Sequence, residues 1–401
     1  MFTQLMDYRE RFAEQHERTG EVFYLTVLGI YLFIHFLYGS LWFWKYPSFN
    51  SGAFLYDAQQ ILAVIGLIKI VLFNRFTGWK EPALFMTTLL VVLVGCRYAK
   101  QNYFIYYTIF LYGAKGIDFK RIVKLFIGVV GSALVITIVG ALIGIVPNAT
   151  VTHGLGTNLR FSMGMVYTTD FAARIFYLCM AYVLLRRFKL LLPEKLSLIA
   201  IMVWVYIVTD ARLDTLLLLL LIMCAIFYGY VVKLINKIGN VGLIVLEAFG
   251  IGSIFALSWF FNPQNKLMAM CDYLLSGRLT EGHIALTKYH VVAFGQHIIE
   301  QGNGGFHPHI VHYFFIDSSY IAALLKNGGV AFILLMILIA YATIRFNNQH
   351  AYPLVIAVLL VVLSSIIDQH LSELSFDVIF LATLANISFF TKHDALKAWR
   401  N

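Results

Sequence analysis

The chain has 401 residues, 60% of them apolar, and a formal net charge of +9. Apolar runs near the ~20 residues that cross a bilayer recur along its whole length, which excludes an ordinary soluble domain. No polar block is large enough for a second folding unit, so one membrane domain over residues 1–401 is expected.

Each apolar run must satisfy its own backbone hydrogen bonds in lipid, so each is expected to be a helix. The alternating pattern of a membrane barrel is absent. The expected class is therefore all-α integral membrane: a polytopic helical bundle. Lys and Arg sit mostly in short loops, where they set topology, and form no nucleic-acid surface. Cys96, Cys179 and Cys224 lie in apolar runs and Cys271 in a polar loop, so no disulfide framework is expected. Residues 1–21 are polar and mixed in charge, and the first apolar run is too long for a cleaved signal.

In chain order, residues 1–21 read as a cytoplasmic tail with a short surface helix. Spans are expected at Val22–Phe43, Asp57–Phe73, Ala83–Cys96, Tyr103–Ile117, Leu125–Pro147 and Thr168–Leu185. Further spans are expected at Leu196–Thr209, Leu213–Tyr230, Val241–Phe261, Tyr320–Thr343, Tyr352–Ile367 and Val378–Phe390. That makes about twelve transmembrane helices. With the N-terminus inside, the inner loops collect Arg75, Lys80, Lys115, Lys120, Arg121, Lys124, Arg186, Arg187, Lys189, Lys195, Lys233, Lys237 and Arg345. The tail 391–401 adds Lys392, Lys397 and Arg400 on the same side. This bias places both termini in the cytoplasm and turns Asn148–Tyr167, Asp210–Arg212, 262–319 and Asp368–Asp377 outward.

Several polar residues fall within or beside the spans. Asp170 and Arg174 are four apart on one helix and suit a mutual ion pair. Lys69 and Glu247 suit pairing across helices or snorkelling. His35 reads as a packing residue, and Trp42, Trp44 and Trp259 as interface anchors.

The large outer loop 262–319 is the longest polar interval and holds His283, His290, His297, His307, His309 and His312. A long glycine-punctuated loop over hydrophobic spans points to chemistry or recognition. Four outward features stand out: Asn158–Gly164 with Arg160, the corner Asp210-Ala-Arg212, the Ser276-Gly-Arg278 segment, and Asp317-Ser318-Ser319-Tyr320. Arg160, Arg212 and Arg278 suit an anionic ligand with several phosphate oxygens, because the guanidinium fork never deprotonates. Asp317-Ser318-Ser319 reads as a helix N-cap whose dipole favours an anion. The spacing of His307, His309 and His312 matches no metal pattern, so no metal and no cofactor is expected.

The order Ser-Gly-Arg278…Phe-Gly295-Gln…Ile-Asp317-Ser-Ser-Tyr320…Gly328-Gly329 resembles Wzy-type polysaccharide repeat-unit polymerases, particularly those of Gram-positive capsule and exopolysaccharide systems. Arg160…Gly164 is similar to an earlier outward loop of that family, and Ala-Arg212 resembles the step that opens the domain shared with O-antigen ligases. The likeness spans roughly residues 155–345. Asp317 stands where the ligases place a His, and Tyr167-Thr-Thr stands where polymerases often carry His-Pro-Asn.

The resemblance implies a GT-C-like membrane glycosyltransferase of the bacterial plasma membrane, with an extracellular active site and no metal. Donor and acceptor would be undecaprenyl-diphosphate-linked oligosaccharides. A flippase and a chain-length regulator are the expected protein partners. In this frame Arg212 and Arg278, with Arg160, stabilise the leaving diphosphate. Asp317 is the candidate base, with His290 and His312 as alternatives. Ser318, Ser319, Tyr320, His307 and His309 are candidate substrate contacts. An O-antigen-ligase-like transfer to another acceptor and a polysaccharide-lipid flippase stay open as alternatives.

Overall fold

The computed structural model describes residues 2–45, 51–76, 78–152, 159–302, 304–305 and 313–391. These are almost entirely helical. Eight helices are long and apolar enough to cross a membrane: α2 (Glu17–Tyr38), α3 (Ser51–Phe73), α4 (Lys80–Ala99), α6 (Phe119–Leu142), α7 (Thr168–Leu185), α8 (Leu192–Thr209), α10 (Tyr228–Trp259) and α14 (Gly329–Asn348). Three shorter apolar helices join them: α5 (Tyr103–Gly113), α9 (Arg212–Ile226) and α15 (Tyr352–Ile367). The chain is thus a polytopic helical membrane protein. The tail helix α1 (Phe2–Gln15) precedes α2, α11 (Lys266–Leu274) and α12 (Arg278–Lys288) belong to the large loop, and α13 (Ser319–Ala322) follows it. Among the described residues, strands occur only as one ribbon, β1 (Thr150–Thr152) against β2 (Leu159–Phe161), with Val151 opposite Arg160.

Burial sorts the helices. α7 is central, with 72% of its apolar stretch enclosed, against 22% for α8. A helix that is apolar all round must be enclosed on all sides or face lipid where it is not. α8 does the latter with Leu196, Val203 and Ile207, and α10 with Val241, Val245 and Phe249, all exposed. α15 is enclosed like α7, and both pack into one core with Phe110, Phe126, Phe171, Phe176 and Phe376.

Two expected spans take another form. Val378–Phe390 is no α-helix: it runs as 3-10 turns at Ile379–Thr383 and Ser388–Phe390. It starts at Phe376, beneath Arg174, and ends where Asn386 bonds to Phe119 and Ile117 beside the start of α6. The Arg345 guanidinium donates to the carbonyls of Ala382, Thr383 and Ala385. Those carbonyls have a strong charged donor without needing a helix. Irregular backbone of this kind is tolerable among membrane helices only where protein encloses it, and Ile379–Ala382 are fully buried.

The second is Tyr320–Thr343, which breaks after α13 and a π-helical turn at Ala323–Asn327, then restarts as α14. The break is Gly328, at φ +92°. A Cβ there would sit 2.3 Å from the Gly295 amide nitrogen, and one on Gly295 would sit 2.4 Å from the Lys326 carbonyl. The outer loop therefore meets the broken helix backbone to backbone, which only glycine permits.

The polar residues inside the spans find other partners than expected. Asp170 pairs with His370, not with Arg174, which lies over Phe376 and Phe36 and bonds to Ser375. Lys69 bonds to Asn74 and the Lys115 carbonyl, and Glu247 accepts from Thr343.

Candidate functional site

Four elements that are distant in sequence converge at one end of the bundle. The ribbon β1–β2 brings Arg160. The corner between α8 and α9 brings Asp210, Arg212 and Asp214. The start of α12 brings Arg278, after a tight turn in which Gly277 takes φ +86°. The segment after α15 brings Asp368 and His370. Together with Asp317, Tyr313, Tyr167 and Asp170 they line a cavity of about 300 Å³. Arg160, Arg212, Arg278 and Asp317, singled out from sequence, thus share one chamber.

The three arginines are not equivalent. Arg278 is buried: its Nε donates to the Ile367 carbonyl at 2.5 Å, Nη1 to the Leu275 carbonyl at 3.3 Å and Nη2 to Asp368 Oδ1 at 3.3 Å. Asp317 lies 3.9 Å from its Nε. Burial alone would lower the Arg278 pKa, but Asp317, Asp368 and Asp214 together raise it, so the cation is held firmly. Arg160 is tied by its Nε to the Thr209 carbonyl at 2.5 Å, which fixes the ribbon to the end of α8. Arg212 is the most available: 34% of its side chain is exposed, and its nearest carboxylate, Asp210, is 3.9 Å away. It lies over the Tyr273 ring.

The opposite wall is acidic and ordered around His370. Asp170 Oδ1 stands 3.7 Å from His370 Nε2, and Glu373 Oε2 3.6 Å from Nδ1. The imidazole stacks on Phe376 at 3.6 Å, and the Arg174 guanidinium lies 3.9 Å from the same ring centre. At these distances the two cations must take opposite faces of the ring, a doubled cation–π contact. Burial would lower the His370 pKa, but Glu373 foremost, with Asp170 and Asp368, raises it to about 9. Asp317 keeps 24% of its side chain exposed. Its pKa is raised, mainly by burial, with Arg278 opposing. Charges of both signs line the chamber: Arg160 and Arg212 with Asp210 and Asp214 come from the ribbon and corner, and Asp170, Asp368 and His370 come with Asp317 and Arg278 from the other elements.

Other expected site residues fall elsewhere. Ser318 occupies the N-cap position of α13 with no side-chain capping bond, so Asp317 is not the cap. Ser319 Oγ donates to the Asp368 carbonyl and Tyr320 Oη to the Val362 carbonyl, which fastens α13 to the end of α15; neither lines the arginine chamber, while Ser319 lines a second, adjoining cavity. His290 lines neither cavity; its carbonyl accepts from Gln296. His307, His309 and His312 lie outside the described residues, as does Asn158. Sequence reasoning gave Asp368, His370 and Glu373 no role. Four titratable groups within Asp368–Asp377, directly after the apolar Tyr352–Ile367, were the signal.

A second cavity of about 680 Å³ adjoins the first and shares Val166, Tyr167, Asp170, Phe315 and Gln369 with it. Comparison of the chain with family models, with curated proteins and with solved structures returns no match.

Proposed function

We propose that the protein is a membrane glycosyltransferase that polymerises lipid-diphosphate-linked oligosaccharide units, in the manner of the Wzy-type polymerases its motifs resemble. One observation carries the reading: Arg160, Arg212, Arg278 and Asp317, drawn from separate loops, line one chamber at one end of a membrane bundle. The anomeric carbon of the donor would sit between the two walls. An acceptor hydroxyl attacks it, the carbon–oxygen bond to diphosphate breaks, and the electron pair leaves on the diphosphate oxygen. Charge grows there in the transition state, and pre-positioned cations lower its energy. Arg212 is the free fork for that charge, with Arg160 beside it, and Arg278 keeps Asp317 in place. Asp317 takes the hydroxyl proton, and burial, by raising its pKa, makes it a better acceptor.

The wider arrangement in this reading is GT-C-like, with about twelve crossings. The eight long helices are joined by α5, α9, α15 and the buried segment after Phe376. Both termini lie in the cytoplasm of a bacterial cell, and the chamber opens outside, where undecaprenyl-diphosphate units arrive from a flippase and a chain-length regulator acts. Gel profiling of lipid-linked and released glycans in a deletion strain tests this. Loss of polymer with single lipid-linked units accumulating outside supports it. Accumulation inside would indicate a transporter, and intact polymer that fails to reach its final acceptor would indicate a ligase.

A further inference from the structure

The second cavity differs in kind from the arginine chamber. Its walls carry Trp44, Tyr38, Tyr103, Phe104, Tyr167 and Phe315. Between the rings lie neutral hydrogen-bonding groups from Gln101, Asn327, Ser372 and Gln369. Tyr167 and Phe315 pack against each other, 5.9 Å between centroids, at the boundary with the first chamber. The outer loop closes on this boundary by bare backbone. A Cβ on Gly304 would lie 2.6 Å from the Tyr167 ring and one on Gly302 2.5 Å from its hydroxyl. Gly305 donates to the Val166 carbonyl, and Trp44 lies against it.

The charges that reach this cavity are balanced by the protein itself. Lys326 is paired with Glu300 at 2.5 Å, and Arg174 is committed to Phe376 and Ser375. Glu373 faces His370 and, at 3.9 Å, His35. A polyanion would meet carboxylates with no free cation among the described lining residues. An alkyl chain would strand the amides and acids without water, and each buried polar group left unpaired opposes binding. A neutral polyol satisfies both demands: its hydroxyls bond the amides, and its C–H faces lie on the aromatic rings.

We propose that this aromatic cavity is a saccharide subsite, holding sugar rings of the acceptor while the donor's diphosphate occupies the arginine chamber. The inference rests on the glycosyltransferase reading for its role, though not for the binding itself. Asp170, which lines both cavities, marks where an acceptor hydroxyl would pass from one to the other.

The test uses purified full-length protein in nanodiscs and two probes. One is the oligosaccharide freed by mild acid from the source organism's lipid-linked intermediates; the other is inorganic pyrophosphate. Saturation-transfer NMR should show the oligosaccharide bound to the parent chain. Trp44→Ala should weaken it at least tenfold, and Trp44→Phe, which keeps a ring, should restore most of it. Pyrophosphate binding should survive Trp44→Ala and be lost in Arg212→Ala. Oligosaccharide binding unchanged in Trp44→Ala overturns the subsite, as does failure of the parent chain to bind it at all. Oligosaccharide binding that depends on Trp44, in a protein whose deletion leaves polymer intact, keeps the subsite and removes the polymerase reading instead.

Discussion

Arg212 and Arg278 line the same chamber, yet their replacement should have opposite signatures. Arg278 is buried and holds two carbonyls and Asp368, with Asp317 alongside and Asp214 against Asp368. Arg278→Ala leaves those carboxylates facing one another without their one directly bonded cation, His370 remaining the nearest charge of opposite sign. Breaking a buried pair by removing one partner costs about 3–5 kcal/mol. In a chain of this size that is a fall in Tm of roughly 4–6 °C. Arg212 loses a 3.9 Å contact with a partly exposed Asp210, worth about 0–1 kcal/mol, and its place over the Tyr273 ring, worth about 0.5–1 kcal/mol at an exposed site. Its Tm should therefore stay within about 2 °C. Activity should reverse the order of interpretation: Arg212→Ala, fully folded, should lose on the order of a hundredfold in polymer synthesis, as does removal of one pre-positioned anion donor. Intrinsic tryptophan fluorescence during heating in detergent gives Tm, and gel profiling of polymer at matched protein level gives activity. A normal Tm for Arg278→Ala, or near-normal polymer from Arg212→Ala, would refute the division of roles.

Asp317→Asn should insert and melt like the parent and make little polymer, because an amide cannot take a proton; normal polymer yield would move the base to Asp170 or a histidine. The His370 pKa stands near 9 in the folded chain against an ordinary 6.5. A raised value means its charge stabilises fully below about pH 6.5, and that this contribution, roughly 2–4 kcal/mol, is lost as pH climbs through about 9. Tm measured from pH 6.5 to 9.5 should fall, and His370→Gln should flatten the slope; equal slopes would contradict the Asp170–His370–Glu373 arrangement. Gly328→Ala should give little folded protein, since its Cβ meets backbone at 2.3 Å and φ is +92°; wild-type abundance and Tm would show that the loop–helix junction yields. A single cysteine at Asn265 should react with an impermeant thiol reagent on intact cells, and reaction only after lysis would invert the topology.

Apolar periodicity made most of the bundle legible, and Thr168–Leu185 and Tyr352–Ile367 begin and end where hydrophobicity does. It failed at Val378–Phe390, whose composition suits a helix as well as any span. There Arg345, far away in sequence, supplies the hydrogen bonds that decide the conformation, and a single-segment pattern carries no trace of that. The candidate site divides in the same way. Arg160, Arg212, Arg278 and Asp317 were legible because they recur in the loops that the Lys/Arg bias turns to one side, where a cluster of arginines suits an anion. Tyr320 looks like a ligand group in sequence, but its hydroxyl is spent on the Val362 carbonyl; Ser319 lines the second cavity while its hydroxyl holds the Asp368 carbonyl. His370 was hidden by the histidine-rich loop, where composition drew attention to His290 and away from a histidine that the fold encloses beside the chamber. Trp44 reads as a membrane anchor from its place at a span end, and only the approach of Gly305 and Tyr167 shows it to be a cavity wall.

The central claim is that this chain alone joins lipid-linked units at the arginine chamber. The most direct measurement is synthesis by the purified protein in liposomes supplied with the lipid-linked oligosaccharide as sole substrate. The account predicts a ladder of longer lipid-linked glycans, one free lipid diphosphate released for each bond formed, and neither product from Arg212→Ala. Oligosaccharide that stays as single lipid-linked units with the parent protein, or that only changes leaflet, would contradict it.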